Sequence, residues 1–336
     1  MTNAPKKKTG IKDALMRLGP ALALILMFIV FAIVMPGKFL RIGNLMNVLK
    51  QASINCMIGA GMLLCLITAG IDLSVGYNCT LACCIIGVLL NMGVTSPFLL
   101  IPAALLVSTL AGFVNGTLLT RLDLPHPFVT TLGAKNILWG LALLVTGSSS
   151  IGLYNKGIDS TLFIGSATVF SFGFPVSFIL VLVVYGLFHV FLKHTSLGRQ
   201  IYCVGGNAEA ARLSGIRSKN VLTIVYTFSG FMCGVAGVIL AGRVASANPN
   251  AGATYDTDAI AACIIGGASF SGGKGTIWGT LVGALLIAII RNGLNLMGTS
   301  NDVQYIVIGA VIILSVAIDV MRGKIEAKAR KMAAVE

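Results

Sequence analysis

The sequence predicts an all-α polytopic membrane protein of about ten transmembrane helices with both termini in the cytoplasm. Three observations predict it. First, 56% of the 336 residues are hydrophobic and only 10% are charged, whereas a soluble domain carries about 25% charged residues and needs them to cover a core. Second, the apolar residues fall into runs at 18–35, 52–70, 75–92, 97–119, 128–146, 175–192, 221–241, 259–273, 276–291 and 305–321. Each run is close to the roughly 20 residues that cross a bilayer. Third, the basic residues behind the net charge of +13 are clustered. They gather at Lys6, Lys7, Lys8, Lys12 and Arg17, at Lys193, Arg199, Arg212, Arg217 and Lys219, and at Arg322, Lys324, Lys328, Arg330 and Lys331. Clusters that flank apolar runs orient spans with the positive side inward.

Taken in order, residues 1–17 read as a cytoplasmic basic N-terminus, 18–321 as the transmembrane domain and 322–336 as a cytoplasmic basic tail. The run 18–35 is longer than a signal-peptide core, and Met35-Pro36-Gly37-Lys38 follows it instead of a small-residue cleavage site; it reads as a retained span. Residues 39–51 look like an amphipathic helix lying at the outer interface. Six spans then bring the polar island 193–220 inside, and four more return the C-terminus inside. The loop 147–174 falls outside, as do Lys38, Arg41 and Lys50, against the charge rule. The eighth run, 259–273, is short and rich in glycine, and reads as broken or tilted. The fourth run ends Gly112-Phe113-Val114-Asn115-Gly116 and the ninth is followed by Asn292-Gly293. These read either as two copies of an inverted repeat, facing opposite ways, or as two helices each terminated by an Asn-Gly pair.

Several chemistries are excluded. The charge flanks spans and meets anionic lipid, so the partner is membrane lipid and not nucleic acid. Eight cysteines lie mostly within apolar runs with no C-x-x-C spacing, and with three scattered histidines they offer neither a disulfide framework nor a metal set. The run from Gly266 to Gly275 is not a phosphate-binding loop: Ala268 stands where its first glycine is needed, and Gly275 follows Lys274 where Ser or Thr is required. Close packing of small residues with a bend is the better reading. No nucleophile–base set or carboxylate pair can be assembled, so no enzyme and no cofactor are expected.

Five motifs remain. They are Gly70-Ile71-Asp72-Leu73-Ser74-Val75-Gly76, Pro127-Phe128-Val129-Thr130-Thr131-Leu132-Gly133, the island's Gly205-Gly206-Asn207-Ala208-Glu209-Ala210-Ala211-Arg212-Leu213-Ser214-Gly215-Ile216, Asp258-Ala259-Ile260-Ala261-Ala262 leading to Ile265–Gly273, and Asn292-Gly293-Leu294-Asn295-Leu296. In this order, from about Phe39 to Asp319, the chain closely resembles the permease subunit of ribose/galactose-type ABC sugar importers of bacteria. The resemblance implies an inner-membrane permease that moves a monosaccharide or small polyol by alternating access. It also implies a separate tandem-cassette ATPase inside, a periplasmic sugar-binding protein outside, and a second permease subunit, as a homodimer or a pair of similar chains. The chain departs from its relatives at Asn301-Asp302-Val303-Gln304, at His126 and at Thr257.

Within the island, Gly205 and Gly206 break structure, Asn207 is a good N-cap, and Glu209-Ala210-Ala211-Arg212-Leu213 is strong helix former, predicting a short amphipathic helix parallel to the membrane. The apolar face of Ala210, Leu213 and Ile216 is modest for lipid, so this helix is expected to couple to the ATPase. Candidates for the substrate path are Asp72, Ser74, Asn115, Phe128, Thr130, Thr131, Asn292, Asn295 and Gln304. Of these Asp72 is read as the sole inner ionisable group, and either it or Ser74 as the N-cap of the third span. The polar groups serve either as weak hydrogen bonds to a passing sugar or as interhelical ties. The rival reading is a stand-alone secondary sugar transporter or facilitator, which would use Asp72 as its coupling carboxylate and need no island helix.

Overall fold

The computed structural model describes residues 11–122, 124, 126–154 and 156–333. The basic cluster at Lys6, Lys7 and Lys8 and the end of the tail lie outside the described residues. In chain order the elements are α1 (Ile11–Val34), α2 (Pro36–Phe39), α3 (Ile42–Ile67), α4 (Val75–Asn91), α5 (Pro97–Arg121) and α6 (Pro127–Thr146). There follow β1 (Ile151–Gly152), α7 (Asp159–Ser166), β2 (Thr168–Val169), β3 (Phe174–Pro175), α8 (Val176–His194), α9 (Ser196–Gly206) and α10 (Ala208–Leu213). The chain closes with α11 (Ser218–Val244), β4 (Ser246–Ala247), α12 (Tyr255–Ile265), α13 (Ile277–Leu296) and α14 (Asn301–Ala333). This is an all-α membrane architecture. The two-residue strands only pin loops, β1 to β4 and β2 to β3, both antiparallel.

Among the described residues, six helices, α3, α5, α6, α8, α11 and α13, are long and apolar enough to cross a membrane, and shorter apolar stretches lie at Gly19–Val34, Val75–Asn91 and Asp302–Leu314. The most apolar windows of α3 and α11 are 89% and 72% buried, against 22% for α5 and 17% for α6. So α3 and α11 form the centre, and α5 and α6 stand at the outside. The packing is reciprocal. α3 lies against α11, α12 and α13, while α11 lies against α3, α4 and α5; α4 packs on α5 and α6 as α12 packs on α13 and α14. Exchanging α3–α6 for α11–α14 maps these contacts onto one another.

Two sequence expectations change and one is met. The helix expected at the interface over 39–51 is not separate: from Ile42 the chain runs unbroken to Ile67 as α3, because nothing between Lys50 and Ile67 breaks a helix. Lys50 donates to the Ser166 carbonyl, 3.1 Å away, which ties the start of α3 to α7. The eighth run is broken as expected: it yields only α12, 11 residues long, which reaches about 16 Å, half of a hydrocarbon core of about 30 Å. It ends where Gly267, Gly272 and Gly273 take positive φ. The loop 147–174 is folded: α7 packs on α11 and α8.

Candidate functional site

The two central helices are each followed by an interruption at corresponding places. Residues 68–74 separate α3 from α4, and residues 245–254, containing β4, separate α11 from α12. Both interruptions open on an alanine in the left-handed region, Ala69 at φ 58 and Ala245 at φ 49. The N-termini of α4 and α12 then meet. Gly76 lies against the Gly252 carbonyl and the Asp256 amide, and Gly252 against the Gly76 carbonyl and Thr80. Neither position has room for a Cβ. Helix N-termini carry unpaired N–H groups and partial positive charge. Paired broken helices are where transporters place their substrate sites.

Carboxylates answer that charge. Asp72, 1% exposed, accepts from the Ser74 amide at 3.0 Å, from the Ser74 hydroxyl, and from the Ser229 hydroxyl of α11 at 3.0 Å. Asn115 of α5 donates to the same Ser74 hydroxyl at 2.9 Å. Ser74 is the N-cap residue of α4 but makes no side-chain capping bond, because its hydroxyl is engaged by Asp72 and Asn115. Asp72 holds the cap residue itself and ties the α3–α4 turn to α5 and α11. Nor is Asp72 the sole inner carboxylate. Asp256 and Asp258, each 1% exposed, sit in the first turn of α12. The Lys135 ammonium on α6 is 2.6 Å from Asp256. The Arg291 guanidinium on α13 donates to both oxygens of Asp258, at 2.9 and 2.7 Å. These four residues were missed as a group. The signal that could have found them is one cation inside each of two apolar runs, which demands a buried anion.

Asp72→Asn is expected to fold and transport, since an amide oxygen still accepts and its N–H₂ can donate to a serine hydroxyl. Asp72→Ala is expected to lose about 1–3 kcal/mol by leaving buried hydroxyls and an amide unpaired. Thermal melting in detergent and uptake, measured on both variants, check this; an Asn variant that folds but does not transport would assign the charge to the path.

The other path candidates divide. Asn115 and Thr130 line an apolar cavity of about 480 Å³ between α5 and α6, and the buried Thr130 hydroxyl has no partner. Phe128 is exposed. Thr131 donates to the carbonyls of Pro127 at 3.0 Å and Ile71 at 3.3 Å. Asn292 and Asn44 exchange amide hydrogen bonds at 2.9 and 3.0 Å, and Gln304 donates to Asn295 at 2.7 Å. Asn292, Asn295 and Gln304 thus tie helices together, and Thr131 ties α6 to the turn between α3 and α4.

The island folds as two helices. Thr195 caps α9 by accepting from the Gly198 amide at 3.0 Å, and Asn207 caps α10 by accepting from the Ala210 amide at 2.9 Å. Glu209 and Arg212 pair one turn apart on the exposed side of α10. The guanidinium holds the Glu209 carboxyl below its ordinary range. Ala211 is buried, Leu213 is exposed, and Ser214 and the left-handed Gly215 end the helix. At the other end of this unit, Gly205 presses on the Ile67 carbonyl at the end of α3. The same carbonyl accepts from the Gly273 amide at 2.8 Å, and the Tyr202 hydroxyl donates to the Gly275 carbonyl at 2.8 Å. The α9–α10 unit therefore touches the interruption after α3 and the glycine turn after α12 together.

Against known families, residues 44–316 match the family described as "Branched-chain amino acid transport system / permease component". Among curated proteins, the chain is 36% identical to a ribose import permease protein of Bacillus subtilis (strain 168), over 94% of this chain and 96% of that one. It is 38% identical to a fructose import permease protein of Rhizobium meliloti, over 89% and 84%. It is 33% identical to a galactose/methyl galactoside import permease protein of Salmonella typhimurium, over 90% and 94%. No solved structure matches the chain.

Proposed function

The chain belongs to this family of transport-system permease components, and from that premise we propose that it carries a monosaccharide or small polyol through ten spans by alternating access. It is a multi-pass protein of the bacterial inner membrane and the permease subunit of an ABC importer. The curated relatives act on ribose, fructose and galactose, which supports a sugar cargo in spite of the amino-acid wording of the family description. In this reading a periplasmic binding protein delivers the sugar, a tandem-cassette ATPase supplies the work, and a second copy of the permease completes the path. The reciprocal packing of α3–α6 and α11–α14 supports an inverted repeat, with one interrupted span in each half.

One observation carries the mechanism. The short exposed helix α10 belongs to a unit whose other end rests on the Ile67 carbonyl and on the turn 266–275. A push on α10 from the cytoplasm reaches both interrupted spans together. The test is reconstitution: with the ATPase and the binding protein, vesicles containing the chain take up labelled sugar only when ATP is present. A stand-alone secondary transporter would need a carboxylate that can exchange its proton. Asp72 is held by two serines, and Asp256 and Asp258 by cations, which disfavours that reading.

The orientation makes its own prediction. In a cysteine-free background, Ser160→Cys on α7 is expected to react with an impermeant thiol reagent from outside. Ser214→Cys beside α10 is expected to react only after the membrane is opened. External labelling at position 214 would overturn both the span count and the coupling role of α10.

A further inference from the structure

The outer face of α6 carries groups that lipid would not tolerate. This is the least covered of the long spans, yet Asn136 stands exposed at its middle, and the Lys135 side chain is 25% exposed beside it. A primary amide and an ammonium at that depth belong against water or protein. One turn along, Trp139 is 38% exposed, and its spacing puts it on the same side as Lys135 and Asn136. The indole is fixed from two directions. One face stacks on Tyr77 of α4, with ring centroids 5.4 Å apart and planes 26° apart. Its Nε1–H donates to Asn250 Oδ1 at 3.0 Å. The Asn250 backbone is held in turn, its N–H donating to Asn248 Oδ1 at 2.9 Å.

The cluster also sits over the junction of the two broken spans. Tyr77 is in the first turn of α4, and Asp256, the partner of Lys135, is in the first turn of α12. Lys135 spends one of its three donors on Asp256. A rigid aromatic plane, open on one side and rimmed by an ammonium and two amides, suits a sugar ring: the apolar C–H face lies on the indole and the hydroxyls meet the polar rim. We propose that Trp139, with Lys135, Asn136 and Asn250, forms the platform on the transport path that contacts the sugar and sets which monosaccharide passes.

This rests on the reading of the chain as a sugar permease. The platform holds the sugar weakly, through one stacking face and a few exposed donors, so passage is not slowed by tight binding. The experiment uses the complete importer in proteoliposomes with its binding protein and ATPase. Uptake of D-ribose, D-fructose, D-allose and D-galactose is measured alongside ATP hydrolysis stimulated by loaded binding protein, and permease assembly is followed by cross-linking. Trp139→Ala is expected to cut uptake of the preferred sugar about tenfold, the effect of one aromatic contact, with hydrolysis and assembly retained. Trp139→Phe keeps the plane and is expected to retain most uptake, with a changed order among the four sugars. Unchanged uptake and order in both variants would overturn the proposal. So would joint loss of uptake and assembly in both, which would make this face an interface between permease copies. If the wild-type importer moves none of the four sugars but still takes up another solute with ATP, the parent reading fails and not the platform alone.

Discussion

Arg291→Ala is expected to remove most of the folded protein from the membrane fraction. The substitution strands Asp258, which is 1% exposed and has both oxygens engaged by the Arg291 guanidinium. Breaking a buried ion pair from one side costs about 3–5 kcal/mol, because the remaining charge stays buried without its countercharge. That is a large part of a typical margin of about 5–15 kcal/mol. The positive N-terminus of α12 offsets some of the loss but not the missing bidentate bond. The double variant Asp258→Asn with Arg291→Gln exchanges the ions for neutral hydrogen-bonding groups and is expected to recover much of the yield. Membrane yield and melting temperature in detergent check both; a stable Arg291→Ala protein would show that the pair does not hold α12 to α13.

Gly205→Ala is expected to fold and yet to transport poorly. A Cβ at 205 would overlap the Ile67 carbonyl, and that carbonyl also receives the Gly273 amide at 2.8 Å. Three backbone segments meet there: the end of α9, the end of α3 and the glycine turn. Overpacking by one methyl costs about 1–3 kcal/mol, which the central bundle of α3 and α11 can absorb. The displaced contact is nonetheless the one that joins α10 to the interrupted spans. Uptake should fall at least about tenfold, the consequence of a misfit near 1.4 kcal/mol, while yield stays near that of the wild type. Normal uptake would mean that coupling does not pass through Ile67.

Much of this fold is readable from apolar run lengths, since a bilayer leaves the backbone few options but helix. The cap at Asn207 and the helix former Glu209–Leu213 were legible because capping and helix propensity act locally, and α10 appears there, one residue longer at its start. The extent of α3 was not, because the polar residues of 42–51 were read for their affinity to an interface, and helix continuity does not depend on polarity. The half-helix α12 was marked only by its glycines. The Lys135–Asp256 and Asp258–Arg291 pairs were hidden for another reason. Lys135 lies inside the run 128–146 and Arg291 closes the run 276–291, and the partner of each cation lies more than thirty residues away. Among the path candidates, sequence could not say that Asn292 would find Asn44 or that Gln304 would find Asn295. Such partners depend on which helices become neighbours.

The coupling role of α10 is tested most directly by ATP-driven sugar uptake in the double variant Glu209→Lys with Arg212→Glu. Both side chains are exposed and pair with each other, so the reversed pair keeps the helix and its internal contact while inverting the charges on its exposed face. The expected result is normal membrane yield, loss of uptake, and ATP hydrolysis that no longer responds to loaded binding protein. Uptake and stimulated hydrolysis at wild-type level in this variant would contradict transmission through α10.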